Sequence, residues 1–493
     1  MHKSSYGGIL KATAIFGSVQ VFSILVNIIR SKVIAVFLGP AGVGINSLLT
    51  STIGLIGTFS NMGLTSSAVK NVAAAHASGD SRRVGKIVSV FRGWVWLTGL
   101  FAFTIALVLS PWLSRVAFNS EKYTYAFVLI SVTLLINQIS AGQGVVLRGM
   151  RKINYTAKSS MIGAAAGLIT SSLLYYFLRE RGIVPAIIIS SMTGLCLTWF
   201  FSRKIRVEKV PVDRTLFWDE GKEMLLMGIM MTLAGLISTA TAYLLRIFIS
   251  KTGSVADVGL YNAGFAIINS YVGLIFTSLS ADYFPRLSAV AMDHKKAASE
   301  INQQAEVALL IMAPIICVFL VYINYLVILL YSEKFTPINT MVHWLALGMF
   351  FKLCSWAVAY LILARGATKI YFWNELIANV YILLFNIVGY HYWGLNGLGI
   401  SFLVGYLVYT AQVIVLTGNL YKFYYDGVFV RLFLVQLTIG VLCFFVQKLL
   451  VGFSAYLIGT VLIVCSSVYS LFELNKRLDF KKYINKFKKS KSA

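Results

Sequence analysis

The chain has 493 residues, 58% of them hydrophobic and only 12% charged, with a mean hydropathy of +0.78. A soluble protein carries roughly twice that charged fraction, so soluble enzymes and scaffolds are excluded. The net charge of +25 raises nucleic acid as a partner, but the basic residues lie between apolar runs, where they orient a chain in a membrane.

Apolar runs of about 20 residues, each able to cross ~30 Å as a helix, occur at 9–38, 42–65, 87–110, 123–147, 158–178, 183–202, 223–250, 258–281, 303–331, 339–364, 373–391, 395–418, 430–450 and 454–474. These fourteen predicted spans make an all-α polytopic membrane protein. Strand-type alternation is absent, which argues against a β-barrel. The opening stretch, "MHKSSYGGILKATAIFGSVQ", leads into a run too long for a cleaved signal peptide and reads as the first membrane helix.

An even number of spans puts both termini on one side. The segments on that side hold 31 Lys and Arg, and the opposite loops and span ends hold seven: Arg115, Lys122, Arg179, Arg181, Lys251, Lys334 and Lys448. By the positive-inside rule both termini are expected in the cytoplasm. The outer loops are short, and none carries a catalytic constellation. The tail, "KRLDFKKYINKFKKSKSA", sets Phe480, Tyr483, Ile484 and Phe487 on one helical face among lysines. It fits either a helix on an anionic leaflet or a solvated basic tail.

The five cysteines (Cys196, Cys317, Cys354, Cys443, Cys465) all fall in apolar spans and read as small buried residues. The five histidines show no metal-ligand spacing. No metal, cofactor or catalytic residue is expected, and no Walker motif or catalytic triad is present.

The chain repeats weakly. "RGMRKI" at 148–153 and "RGATKI" at 365–370 agree at four of six positions with a shift of 217 (365 − 148). Arg30 in the first span matches Arg246 in the seventh at a shift of 216 (246 − 30), and "VGIN" at 43–46 answers "VGLYN" at 258–262. Six spans separate equivalent positions, so the halves are expected as parallel repeats about an axis along the membrane normal. This predicts a six-helix lobe at 1–202, a charged cytoplasmic linker at 203–222 and a second six-helix lobe at 223–418. Two extra helices follow within 419–474, then a basic tail at 475–493.

Three cations inside spans require explanation. On a helical wheel, Gln20, Ser23 and Asn27 lie within about 80° of Arg30, and Thr232, Gly235, Thr239, Tyr243 and Ser250 cluster likewise around Arg246. Lys352 has Gly348, Ser355, Trp356 and Ala359 on its side. Trp356, one turn on, is placed to cover the ammonium with its ring. Lys32 points away from Arg30 and is expected to snorkel. Each cation costs ~2.5–3.5 kcal/mol at a helix centre on insertion scales. The acidic residues lie at span ends or in loops, with Glu306 and Glu375 closest to the interior. A wet cavity between the lobes, lined by Arg30, Arg246 and Lys352 with Gln20, Ser23, Asn27, Thr239 and Tyr243, would relieve the cost and attract an anion such as phosphate. The competing reading has each arginine bonding backbone carbonyls or snorkelling outward. Asn137, Gln138 and Gln143, with Asn379 and Asn386, read as interhelical glue.

Three stretches, "FLGPAGVGINSLLTSTIGLIGTFSNMGLTSSAVKNVA" at 37–73, "YFPRLSAVAMD" at 283–293 and "FKLCSWAVAYLILARGATKIYFWNE" at 351–375, resemble the Wzx-type O-antigen and lipid-linked oligosaccharide flippases. These belong to the multidrug/oligosaccharidyl-lipid/polysaccharide (MOP) exporter superfamily. The resemblance covers the chain to about residue 420. It implies a MATE-like fold of two six-helix lobes around a central cavity, in a bacterial inner membrane. The activity implied is movement of undecaprenyl-diphosphate-linked repeat units from the cytoplasmic to the periplasmic leaflet by alternating access around a cationic lumen. Arg30, Arg246 and Lys352 are the residues available to supply that lumen. Implied partners are the lipid-linked substrate, membrane lipids, the O-antigen polymerase and the chain-length regulator. Glu306 and Glu375 are the candidates for proton coupling.

Three other readings compete; one of them, a purely structural membrane protein, leaves the cationic stripes unexplained. A drug or cation antiporter of the same superfamily would place carboxylates inside the membrane, where this chain has cations. A membrane-embedded polymerase would need a catalytic carboxylate or histidine cluster on a large loop.

Overall fold

The computed structural model describes residues 2–208, 210–271 and 273–477. In chain order its helices are α1 (His2–Asn61), α2 (Leu64–Ala77), α3 (Ser81–Val108), α4 (Ser110–Phe118), α5 (Thr124–Gly149), α6 (Ile153–Leu178), α7 (Ile183–Arg203) and α8 (Arg214–Thr252). There follow α9 (Val255–Tyr271), α10 (Gly273–Val290), α11 (His294–Leu330), α12 (Asn339–Ala364), α13 (Thr368–Tyr421), α14 (Gly427–Leu449) and α15 (Phe453–Arg477). The described residues contain no strand, as the composition required. The basic tail beyond Arg477, with Phe480, Tyr483, Ile484 and Phe487, lies outside the described residues.

Among the described residues nine helical stretches are long and apolar enough to cross a membrane. Three of them run to 43, 51 and 54 residues, each about twice the ~20 that one crossing needs. Two of the three, those of 43 and 54 residues, are broken at glycine. Helix α1 breaks at Gly39, where φ is +65° and Pro40 follows. Only glycine takes that backbone readily, and proline withholds the N–H that would continue the helix. Helix α13 breaks likewise at Gly394, φ +56°. Both breaks fall where the sequence separates two predicted spans. The segments predicted as spans at 223–250 and 258–281 are helical in α8, α9 and α10 but are not among the nine.

The chain divides into two compact units, Met1–Asn262 with Leu330–Phe335 and Ala263–Leu329 with Thr336–Ala493. In the first, α2, α3 and α5 bury Leu64, Val72, Ile87, Phe91, Val145 and Val146 together. The Asp80 carboxylate caps α3 by accepting from the Arg83 N–H at 2.7 Å. The 203–222 segment is anchored to this unit. Its Ile205, Val207, Val212 and Phe217 pack on the same core, and the Trp94 indole donates to the Phe217 carbonyl at 3.0 Å. Glu220 takes two hydrogen bonds from Arg83, at 2.5 and 3.0 Å, and an ion pair from Lys86 at 3.0 Å. Burial pulls the Glu220 carboxyl up, but those two cations outweigh it and hold it below its ordinary value.

The second unit is built on α11 and α12, whose Leu309, Met312, Ile316, Leu345, Met349 and Phe350 are almost wholly buried. Helices α14 and α15 join through Gln436, which donates to Ser470 at 2.8 Å and accepts from Ser466 at 2.7 Å. They dock where Gly440 lies against Phe350 and Gly459 against Val321. All five cysteines are unpaired; Cys317, Cys354 and Cys443 are buried.

Candidate functional site

The two arginines predicted from the repeat both lie in the first unit. Arg30 is half-buried on α1, with Ser23 half-buried and Gln20 and Asn27 exposed near it. Its guanidinium faces the hydroxyl of Tyr175 on α6, a side chain with no exposed surface. That hydroxyl makes no hydrogen bond of ordinary geometry, but it lies within electrostatic reach of the cation.

Arg246 is held more firmly. Its Nε donates to Asn262 Oδ1 at 3.1 Å, and Nη1 donates to the Ala242 carbonyl at 2.9 Å. Two of its five N–H donors are thereby used, and the rest make no hydrogen bond to a described residue. Asn262 in turn donates to Ser47. Asn262 was absent from the sequence-derived site, yet the repeat pointed to it. The shift that carries Arg30 to Arg246 carries Asn46 to Asn262 (262 − 46 = 216). In the first half the pair is open, because Arg30 faces Tyr175 and the buried Asn46 Oδ1 has no partner. The flanking glycines are matched as well. A Cβ on Gly44 would stand 1.9 Å from the Val255 carbonyl oxygen, and one on Gly259 would stand 1.9 Å from that of Pro40. Only glycine permits α1 and α9 to cross so closely.

The other polar residues around Arg246 divide. The Thr239 hydroxyl donates to the Gly235 carbonyl at 2.8 Å. Tyr243 is buried, and its hydroxyl accepts from Thr52 at 3.0 Å. It joins α8 to α1.

Lys352 lies in the second unit. Its ammonium donates to Asn269 Oδ1 at 3.1 Å and sits 5.8 and 5.3 Å from the ring centres of Phe402 and Tyr406. The expectation for Trp356 is corrected here: its indole donates to Ser280 at 3.3 Å, and the rings over Lys352 come from α13. Among the described residues, Arg30, Arg246 and Lys352 make no ion pair with a carboxylate.

The two candidate proton carriers differ. Glu306 is buried and pairs with Arg477, which also pairs with Glu473 at 2.6 Å. Its charge is therefore compensated at the end of α15. Glu375 accepts from the Tyr409 hydroxyl, within a polar group in which Gln412 donates to Asn374 Oδ1 at 2.9 Å. Among the described residues there is no group of three His, Cys, Asp or Glu able to hold a metal ion.

Residues 33–340 match the model of a family described as polysaccharide biosynthesis protein. The chain is 22% identical over 405 residues to the lipid III flippases of Escherichia coli (strain K12) and Shigella flexneri, covering 78% of this chain and 92% of each relative. Its fold is similar to that of the lipid II flippase MurJ in an inward closed conformation, with a TM-score of 0.68 at 11% identity over 95% of this chain and 99% of that one. It is also similar to an inward-facing multidrug resistance MATE family transporter of the MOP superfamily, with a TM-score of 0.65 at 13% identity over 82% and 94%. These likenesses give a multi-pass membrane protein with the fold that the MurJ and MATE structures share. The family match covers more than half of the sequence, so the chain belongs to the polysaccharide biosynthesis protein family.

Proposed function

We propose that this protein is a flippase for undecaprenyl-diphosphate-linked oligosaccharide repeat units of O-antigen type, moving them from the cytoplasmic to the periplasmic leaflet of a bacterial inner membrane. The observation that carries the reading is the repeat-matched pair Arg30 and Arg246, two guanidinium groups inside spans with no carboxylate partner among the described residues. A diphosphate supplies the charge such groups lack, and guanidinium matches phosphate oxygens bidentately. The free N–H donors of Arg246 are available to such a ligand. Lys352 adds a third cation, with its charge spread over two aromatic faces and one amide.

In this mechanism two six-helix lobes alternate access to a cationic lumen, the sugars follow the wet path, and the polyprenyl tail stays in lipid. In this reading both termini lie in the cytoplasm, which the Lys and Arg distribution supports. Membrane potential contributes: moving negative charge away from a negative interior is favourable by ~2.3 kcal/mol per charge per 100 mV. Glu375, bonded by a tyrosine and not by a cation, is the better candidate for proton coupling, because Glu306 is already paired with Arg477. The polymerase and chain-length regulator are the partners that would receive the product. The multidrug-antiporter alternative calls for anionic groups facing a cationic drug, and the unpaired charges here have the opposite sign.

The test is reconstitution into liposomes carrying polyprenyl-diphosphate oligosaccharide in one leaflet. Transfer above protein-free liposomes supports the reading. Efflux of a cationic dye without lipid transfer refutes it.

A further inference from the structure

A cavity in the first unit differs in chemical kind from the cationic positions. It has a volume of about 340 Å³ and lies between the second part of α1, α5 and α8. That volume falls in the range of roughly 300–1,000 Å³ typical of small-molecule sites. No charged side chain lines it. Gly54, Gly57, Thr58 and Asn61 come from α1, and Asn137 and Gln138 from α5.

These polar groups are not equivalent. Asn61 donates to Gln138 Oε1 and to Thr65 Oγ1, both at 2.8 Å, and Gln138 donates to Ser60 at 3.2 Å. They are the glue between α1 and α5. Asn137 is exposed in the middle of α5 and hydrogen-bonds to no described residue. A carboxamide placed in a span to join helices has a partner; this one faces the cavity unengaged. The Thr58 hydroxyl donates to the Gly54 carbonyl at 2.8 Å, leaving its oxygen able to accept. The floor is open by sequence and not by packing: a Cβ on Gly54 would meet nothing within 4 Å, and one on Gly57 would meet only Leu134, at 3.7 Å. Glycine in a helix interior weakens the helix where any other residue would fit.

We propose that this cavity is a subsite for the neutral sugars of the cargo, with Asn137 as a binding residue and Gly54 and Gly57 as the floor under a sugar ring. Sugar hydroxyls and acetamido groups both donate and accept, and an uncharged carboxamide offers two donors and an acceptor in return. A phosphate would find no cation here. The spacing fits a division of labour. Thr232, on the α8 wall of the cavity, precedes Arg246 by 14 residues (246 − 232) on one helix, about 21 Å along its axis. A diphosphate at Arg246 would set the subsite beyond the first sugar, so it reads an oligosaccharide and not a single residue. The identity of the cargo rests on the flippase reading above; the cavity and its chemistry do not.

The test uses Ser66→Cys, on the α2 side of the cavity and outside the proposed contacts, in a chain whose five native cysteines are replaced by alanine, held in proteoliposomes and labelled with a water-soluble thiol reagent. Two probes are compared: polyprenyl diphosphate carrying a pentasaccharide of neutral hexoses and N-acetylhexosamines, and the same lipid carrying one sugar. The pentasaccharide lipid is expected to slow labelling at least about fivefold and the monosaccharide lipid less than about twofold. Equal slowing by both, or by neither, overturns the subsite. In a transport assay Gly54→Leu is expected to reduce movement of the pentasaccharide lipid about tenfold more than that of the monosaccharide lipid. Protection of the Ser66→Cys chain, with neither lipid moved by the wild type, would refute the flippase reading and leave the subsite standing. A Gly54→Leu chain that moves both lipids at wild-type rates would refute the subsite and leave the flippase reading standing.

Discussion

Replacing Arg246 by alanine separates a functional cation from a structural one, because the two roles predict different energies. The substitution removes the bonds to Asn262 Oδ1 and to the Ala242 carbonyl. Hydrogen bonds inside membranes are worth ~0.6 kcal/mol on average and ~1.7 at most, so two give about 1 to 3 kcal/mol. It also removes a cation that costs ~2.5–3.5 kcal/mol within a span. The balance lies between roughly 1 kcal/mol lost and 2 kcal/mol gained. Arg246→Ala is therefore expected to insert, accumulate and melt like the parent while losing lipid transfer. Thermal unfolding in detergent, paired with flipping in proteoliposomes, measures both. A variant several kcal/mol less stable that still flips at the wild-type rate would make Arg246 a structural residue and refute the reasoning. Arg246→Lys keeps the charge but not the planar fork, and is expected to retain only part of the activity.

Further outcomes follow from the same geometry. Lys32→Ala is expected to leave transport within about twofold of wild type, since its position on the wheel is opposite Arg30; a defect equal to that of Arg30→Ala would undermine the wheel argument. Gly44→Leu drives a side chain into the Val255 carbonyl, and overpacking of about 1–3 kcal/mol or more is expected to reduce the amount of folded protein on a fluorescence-detected sizing column. Glu220 has its pKa depressed in the folded state, so the stability it contributes is present above its ordinary value of 4.5 and is lost as the pH falls through the depressed one. Protection of the 203–222 segment against hydrogen exchange, taken relative to the intrinsic rate at each pH, should be flat near neutral pH and fall only in acid, with Glu220→Gln showing the acid behaviour at pH 7. An inside-negative potential of 100 mV is expected to favour outward transfer of two net negative charges by about 4.6 kcal/mol, and a reversed potential to oppose it.

Much of the architecture was legible because a membrane imposes simple rules. Apolar length called for helices, and "LGPAG" at 38–42 and "WGLNG" at 393–397 carried the glycines at which α1 and α13 break. The repeat led to Arg30 and Arg246, and applied to Asn46 it also gives Asn262. What stayed hidden was tertiary. The wheel saw that Trp356 follows Lys352 by one turn, but the covering rings, Phe402 and Tyr406, come from a helix some 50 residues on (402 − 352). The 203–222 segment read as a linker because its charges dominate, while its sparse apolar residues anchor it to α3. Asn61 and Gln138 do join two helices, as expected of the latter. Asn379 and Asn386 instead turn back to their own helix, donating to the Glu375 and Ile382 carbonyls at 2.8 Å. Periodicity gives the side of a helix a residue occupies and not the partner it meets there.

The most direct measurement compares wild type with the double variant Arg30→Ala, Arg246→Ala in liposomes loaded on one leaflet with polyprenyl-diphosphate oligosaccharide. The account predicts transfer by the wild type and none above protein-free vesicles by the folded double variant. Transfer at the same rate by both would contradict a cationic path through the protein.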